Sequence, residues 1–175
     1  MVCRTLNIHG KMGKTMNRII QAFAALGAAA TVVIGLQAQA QMPNWQAVPR
    51  YHTFNLNAGF QPDPQFIDVQ AGGSGAANRI GPACVGFIDF SKPDVDLNYG
   101  GGQYSLSIWA EGAGDLTLVV YDPVGQWYCN DDYRGLDPAI QFGNPQSGNY
   151  NIWVGSHQGI QPARLYITER PPFTY

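Results

Sequence analysis

Lysine is almost missing from the chain beyond residue 40: Lys92 is the only one, and no basic run occurs there. Proteins that grip nucleic acid need clustered Lys and Arg to meet the phosphates, so that class of partner is excluded. All twelve acidic residues lie in the same stretch, against six basic ones, which leaves a charge of −6. Cysteine is equally scarce, with Cys3 near the start and only Cys84 and Cys129 beyond residue 40. Neither has His or Cys partners at zinc-ligand spacing. Catalytic signatures are missing too. There is no Gly-x-Ser-x-Gly elbow and no His-Glu-x-x-His, and the Gly-rich stretch 71–76 lacks the Gly-Lys-Ser/Thr ending of a phosphate loop. A Ser147, His157, Asp137 assembly can be drawn only on paper, and the chain is expected to be noncatalytic.

The one long apolar run is at the N-terminus. Arg4, Lys11, Lys14 and Arg18 precede an uncharged stretch from Ile19 to Leu36, and Ala38-Gln39-Ala40 follows. A positive region, an apolar core and a small-x-small site form a signal peptide, expected to be cleaved after Ala40. A run of this length can also span a bilayer, but the Ala-Gln-Ala flank favours cleavage and leaves no span afterwards. The protein is therefore expected to be exported, to the periplasm or beyond the cell. In such an oxidising compartment Cys84 and Cys129 are most simply a disulfide.

Residues 41–175 are 135 in number, the size of one domain with one core. Helical periodicity is absent, and two-residue alternation recurs. Tyr104, Leu106, Ile108 and Ala110 share a face, as do Leu116, Leu118 and Val120, then Tyr150, Ile152 and Val154, then Leu165 and Ile167. Glu111 to Asp115, Asp122-Pro123-Val124-Gly125, Ser147-Gly148 and Gly159 to Pro162 supply turns between these runs. Further candidate strands are Cys84–Phe90, Asp94–Tyr99, Gln126–Cys129 and Ala139–Phe142, with weaker ones near His52–Leu56 and Phe66–Val69. Up to ten short strands predict an all-β fold, an antiparallel β-sandwich of the jelly-roll kind. Residues 41–60, with Pro43 and Pro49, read as an N-terminal arm that packs late or not at all, and 61–175 as the sandwich. The stretch 71–76 reads as a flexible connection.

From Pro93 to Glu169 the sequence resembles the bacterial pre-peptidase C-terminal domain family. The resemblance runs through Asp94-Val95-Asp96-Leu97, Tyr104 to Ile108, Asp115 to Pro123 with Gly125, Ser147-Gly148-Asn149-Tyr150 and Leu165-Tyr166-Ile167-Thr168. Upstream, Phe60 to Pro64, Gly72-Gly73 and Cys84 to Ile88 resemble a secreted subgroup with an added disulfide. The resemblance implies a jelly-roll module that targets or binds for a secreted enzyme without catalysing, and that in some members holds calcium. Here it implies a module acting alone or with a separate partner, an extracellular protein or a polysaccharide.

Two constellations are candidate sites. Asn130, Asp131, Asp132 and Asp137 share one loop, and Asp94 and Asp96 flank a strand start. Calcium takes six to eight such oxygens, so these six residues are candidate ligands of a structural Ca2+. The same residue types also serve as plain turn formers. Trp109 and Trp153 fall opposite the apolar stripe, among Ser105, Ser107, Asn149 and Asn151. Exposed, they would be ligand-binding platforms; with both faces covered, they would be core. The low charge and the extended arm also permit self-association by strand exchange, as in an adhesive or self-assembling subunit.

Overall fold

The computed structural model describes residues 41–175, and the expected leader, 1–40, lies outside the described residues. The strands are β1 (His52–Asn57), β2 (Gln65–Ala71), β3 (Gly75–Ala76), β4 (Phe87–Ile88), β5 (Val95–Gly100), β6 (Leu106–Gly112), β7 (Leu116–Tyr121), β8 (Trp127–Asn130), β9 (Ala139–Phe142), β10 (Gly148–Ser156) and β11 (Gln161–Thr168). They form a β-sandwich, as the alternation predicts.

One sheet runs β1-β5-β10-β7-β8, with β4 and β3 continuing beside the end of β10; the other runs β2-β11-β6-β9. All pairings are antiparallel except β1 with β5.

The sense of the alternation decides the core. Leu106, Ile108, Ala110, Leu116, Leu118, Val120, Tyr150, Ile152, Val154, Leu165 and Ile167 all point between the sheets and are buried together. Each fully buried Leu or Ile contributes about 1.5–3 kcal/mol by leaving water. Tyr104, expected to share the β6 stripe, lies before the strand and is exposed.

Three expectations are corrected. The segment 41–60 is not a loose arm: β1 pairs along its whole length with β5, and Asn44, Arg50 and Tyr51 donate backbone bonds to Phe90, Pro93 and Asp94. The prolines fall before the strand, so His52–Asn57 is free to pair. The stretch 71–76 is not a flexible connection either. Gly75 and Ala76 pair with β4, and a Cβ at Gly73 would lie 2.2 Å from the backbone carbon of Ile88. Glycine is there because two backbones meet, not because the chain must bend freely. Finally, the expected strand 84–90 shrinks to Phe87–Ile88, because only these two residues join the larger sheet while the rest of 77–90 crosses its outside.

That crossing segment is stapled by Cys84–Cys129. Their separation of 45 residues gives about 4 kcal/mol of stabilisation in the chain-entropy model. Beneath the staple, Trp153 packs with Ala77, Ile88, Phe90 and Val119.

Candidate functional site: an amide and aromatic face

The two sandwich faces that look outward are both half covered, which decides the fate of the tryptophans. Trp153 is 0% exposed beneath the 77–90 segment, and Trp109 is 0% exposed beneath Phe173 and Tyr175. Neither is a binding platform, and that expectation is corrected: both rings do point outward from their sheets, but distant segments roof them.

The six expected calcium ligands do not converge. Asp94 and Asp96 lie on and beside β5, three strand steps from β8, roughly 14 Å across the sheet. Asn130 caps the Ala139 amide through Oδ1 at 2.9 Å. Asp137 accepts from the Gly112 amide and sits 3.8 Å from Arg134, and Asp131 lies 3.9 Å from His157. Asp132 is exposed. Among the described residues, no three His, Cys, Asp or Glu side chains are grouped to hold a metal. The loop acids are thus dispersed, while Asp94 serves the sheet. Its Oδ2 accepts the Val154 amide at 2.8 Å, and burial pushes its carboxyl up to about 7. Asp96, half buried, is also raised by desolvation and accepts from Asn151 at 2.8 Å.

Ser147 and His157 stand at opposite ends of β10, a span of roughly 30 Å for nine extended residues. Ser147 Oγ accepts from the Gly101 amide. The paper triad is not assembled.

What remains open is the lower half of the larger sheet's outer face. Outward positions of β1, β5 and β10 align Asn55, Asn98 and Asn149 in one row. Asn98 donates to Asn55 Oδ1 at 2.9 Å, and Asn149 donates to Asn98 Oδ1 at 2.9 Å. The next row carries Thr53, Asp96, Asn151, Tyr121 and Trp127 in register. Trp45, 42% exposed, leans on Tyr121 at 5.1 Å, and Tyr121 meets Trp127 at 4.5 Å. Two adjoining grooves, of about 470 and 350 Å³, run along these rows and share Gly148 and Asn149. No basic side chain lines either groove, and Asp122 is the one acid. That carboxylate is turned inward, accepting from the Val124 and Gln126 amides.

The face therefore offers amide donors and acceptors beside a cluster of tilted aromatic rings, with Asp96 as a half-buried acid in the second row. Alternation along the sequence places Asn149 and Asn151 outward. Nothing in the sequence aligns them with Asn55 and Asn98, because register between distant strands is a tertiary fact.

No family model matches the sequence, and no curated protein matches it. Among solved structures, a periplasmic inhibitor of g-type lysozyme from Aeromonas hydrophila is similar at 15% identity, covering 68% of this chain and 98% of that one, with a TM-score of 0.37. The pre-peptidase C-terminal domain of a collagenase from Bacillus anthracis is similar at 13% identity, covering 70% of this chain and 98% of that one, with a TM-score of 0.41. These likenesses concern the β fold at a coarse level, and no residue role is carried across. Fold and site together define a disulfide-bonded β-sandwich with an amide-rich face whose grooves no basic side chain lines. Among the described residues, no helix is long and apolar enough to cross a membrane.

Proposed function

We propose that the protein is an exported, noncatalytic binding module that holds a neutral polysaccharide on the amide and aromatic face. The observation that carries this reading is the Asn55–Asn98–Asn149 row, hydrogen-bonded across three strands. Each amide has both a donor and an acceptor, so a row of them can match sugar hydroxyls at fixed spacing without paying for a buried charge. Cross-strand bonding fixes the rotamers beforehand, which lowers the ordering cost of binding. Trp45 adds an exposed ring face with a polar edge beside Tyr121, suited to the carbon–hydrogen face of a sugar ring. The absence of Lys and Arg from the grooves disfavours an anionic polymer.

The Cys84–Cys129 bond supports an oxidising compartment. Calcium has no part in this reading, since its expected donors stand apart. Retention of the chain on insoluble chitin and cellulose, with Asn98→Ala and Trp45→Ala as controls, tests the proposal. Loss of retention in both variants supports it. Equal retention of the variants and the parent chain overturns it.

A further inference from the structure

The amide row has a spacing and a direction, and both constrain what can lie on it. Asn55, Asn98 and Asn149 stand on neighbouring strands at one register level, so they repeat at the strand spacing of roughly 4.8 Å. The bonds run one way, from Asn149 to Asn98 and from Asn98 to Asn55. An amide nitrogen carries two hydrogens. Asn98 and Asn149 therefore each keep one N–H after the ladder is made, and Asn55 gives neither of its own to it. All three side chains are on exposed residues, so every strand step presents a fixed donor to the outside.

The row forms the floor of one continuous trough. The groove over β1 and β5 and the groove beside Trp45 share Gly148 and Asn149. Gly148 sits at their junction with φ 141°, and a Cβ there would lie 2.6 Å from the Pro123 Cβ. Glycine thus keeps the passage clear where a side chain would have no room. One end of the trough reaches β1, the edge of its sheet, so a long ligand can run on past Asn55. Trp45, 42% exposed, stands at the other end. From β1 to β7 is three strand steps, roughly 14 Å.

We infer that the trough takes an extended, equatorially linked pyranose chain of the β-1,4 kind, laid across the strands with one sugar unit per strand step and about four units between Asn55 and Trp45. The inference rests on the reading of this face as a polysaccharide surface and adds the linkage, the direction and the length. Equatorial links at opposite corners of the ring add close to one strand spacing per unit. Each ring, though turned over from the last, carries hydroxyls on both edges, so one can accept from each successive amide. An α-1,4 chain, with its axial link, coils, and its further units turn away from a straight floor. An extended peptide advances only about 3.3 Å per residue and falls out of step with the amides. No basic side chain lines the trough, which leaves an acidic sugar chain without a partner.

The test is calorimetric titration of the full chain with β-1,4-linked oligomers of glucose and of N-acetylglucosamine, from the monosaccharide to the hexamer, and with α-1,4-linked glucose oligomers of the same lengths. Affinity for one of the β-linked series should rise with each unit to about the tetramer and then level off. The α-linked tetramer should bind about tenfold more weakly, the loss of two matched hydrogen bonds. Asn55→Ala and Trp45→Ala remove exposed side chains at the two ends of the trough, and each should shorten the levelling length by about one unit. Should either variant fail to melt cooperatively, the length and linkage series on the parent chain decide alone. Affinity already maximal at the disaccharide, equal affinity for the α-linked series, or a levelling length unchanged in both folded variants overturns this inference and leaves the polysaccharide reading in place. No binding of any neutral oligosaccharide overturns both.

Discussion

The carboxylate of Asp94, 1% exposed, takes the place of a missing strand neighbour for Val154. On that side of β10 the pairing with β5 ends at Ile152, and the pairing with β4 begins only at Ser156. Asp94 spans the gap with two bonds, its own amide donating to the Ile152 carbonyl and its Oδ2 accepting from Val154, while its carbonyl accepts from Tyr51 on the β1 side. An acidic side chain thus finishes a sheet, where the sequence had suggested a metal ligand.

Replacing Asp94 with Ala leaves the Val154 amide buried without a partner, and a cost of about 1–3 kcal/mol in urea unfolding is expected.

The pH dependence follows from the same burial. Desolvation lifts the Asp94 carboxyl from its ordinary 3.8 to about 7, and the Val154 bond and Arg50, 3.9 Å away, only partly offset it. Below the ordinary value both folded and unfolded chains hold the proton. Between that value and about 7 the folded chain holds it and the unfolded chain does not, so this group's contribution to stability falls as pH rises through the window. Asp94→Asn keeps an acceptor for Val154 but cannot ionise. Its melting temperature, compared with that of the parent chain, should gain steadily from pH 4 to pH 7, with the difference flat outside that range.

Reduction, or Cys84→Ser with Cys129→Ser, frees the 77–90 segment that roofs Trp153. A loss of about 4 kcal/mol is expected from the loop closed, read as a lower urea midpoint with and without reductant.

Gly73→Ala places a methyl group against the backbone of Ile88, which cannot move as a flexible side chain would. The expected cost is about 2–4 kcal/mol, at the severe end for a single substitution. A neutral result in thermal unfolding would restore the reading of 71–76 as a loose connection.

Calcium addition after EDTA treatment should leave the melting temperature unchanged, and Asp131→Ala with Asp132→Ala should shift stability by no more than about 0.5 kcal/mol, as for ordinary surface positions. A saturable rise in melting temperature with calcium would contradict the separation of these acids from one another.

How much of this was legible in the sequence depends on the range of the interaction. Local alternation grouped the residues that share one face of β6, β7, β10 and β11, Tyr104 apart, because a period of two is set by the strand itself, but which face meets the core was left open. Ala139–Phe142 matches β9 residue for residue, bounded by Pro138 and Gly143. What the alternation could not reveal was the covering of the outer faces. Trp153 is roofed by residues 77–90 and Trp109 by 173–175, and neither segment has a periodicity of its own. The parallel pairing of β1 with β5 was hidden for a similar reason, since a crossover pairing leaves no local turn signature. The amide row is the same case: Asn55, Asn98 and Asn149 are unremarkable singly and become a surface only through register.

The most direct test is a titration of the protein with soluble neutral oligosaccharides of the chitin and cellulose types, followed by amide chemical shifts. If the amide row is the ligand surface, the perturbed signals cluster on Asn55, Asn98, Asn149 and the Trp45 indole, and Asn98→Ala abolishes them while leaving the melting temperature within a few degrees. Saturable shifts that map to another face, or none with any neutral glycan, would contradict the proposed function.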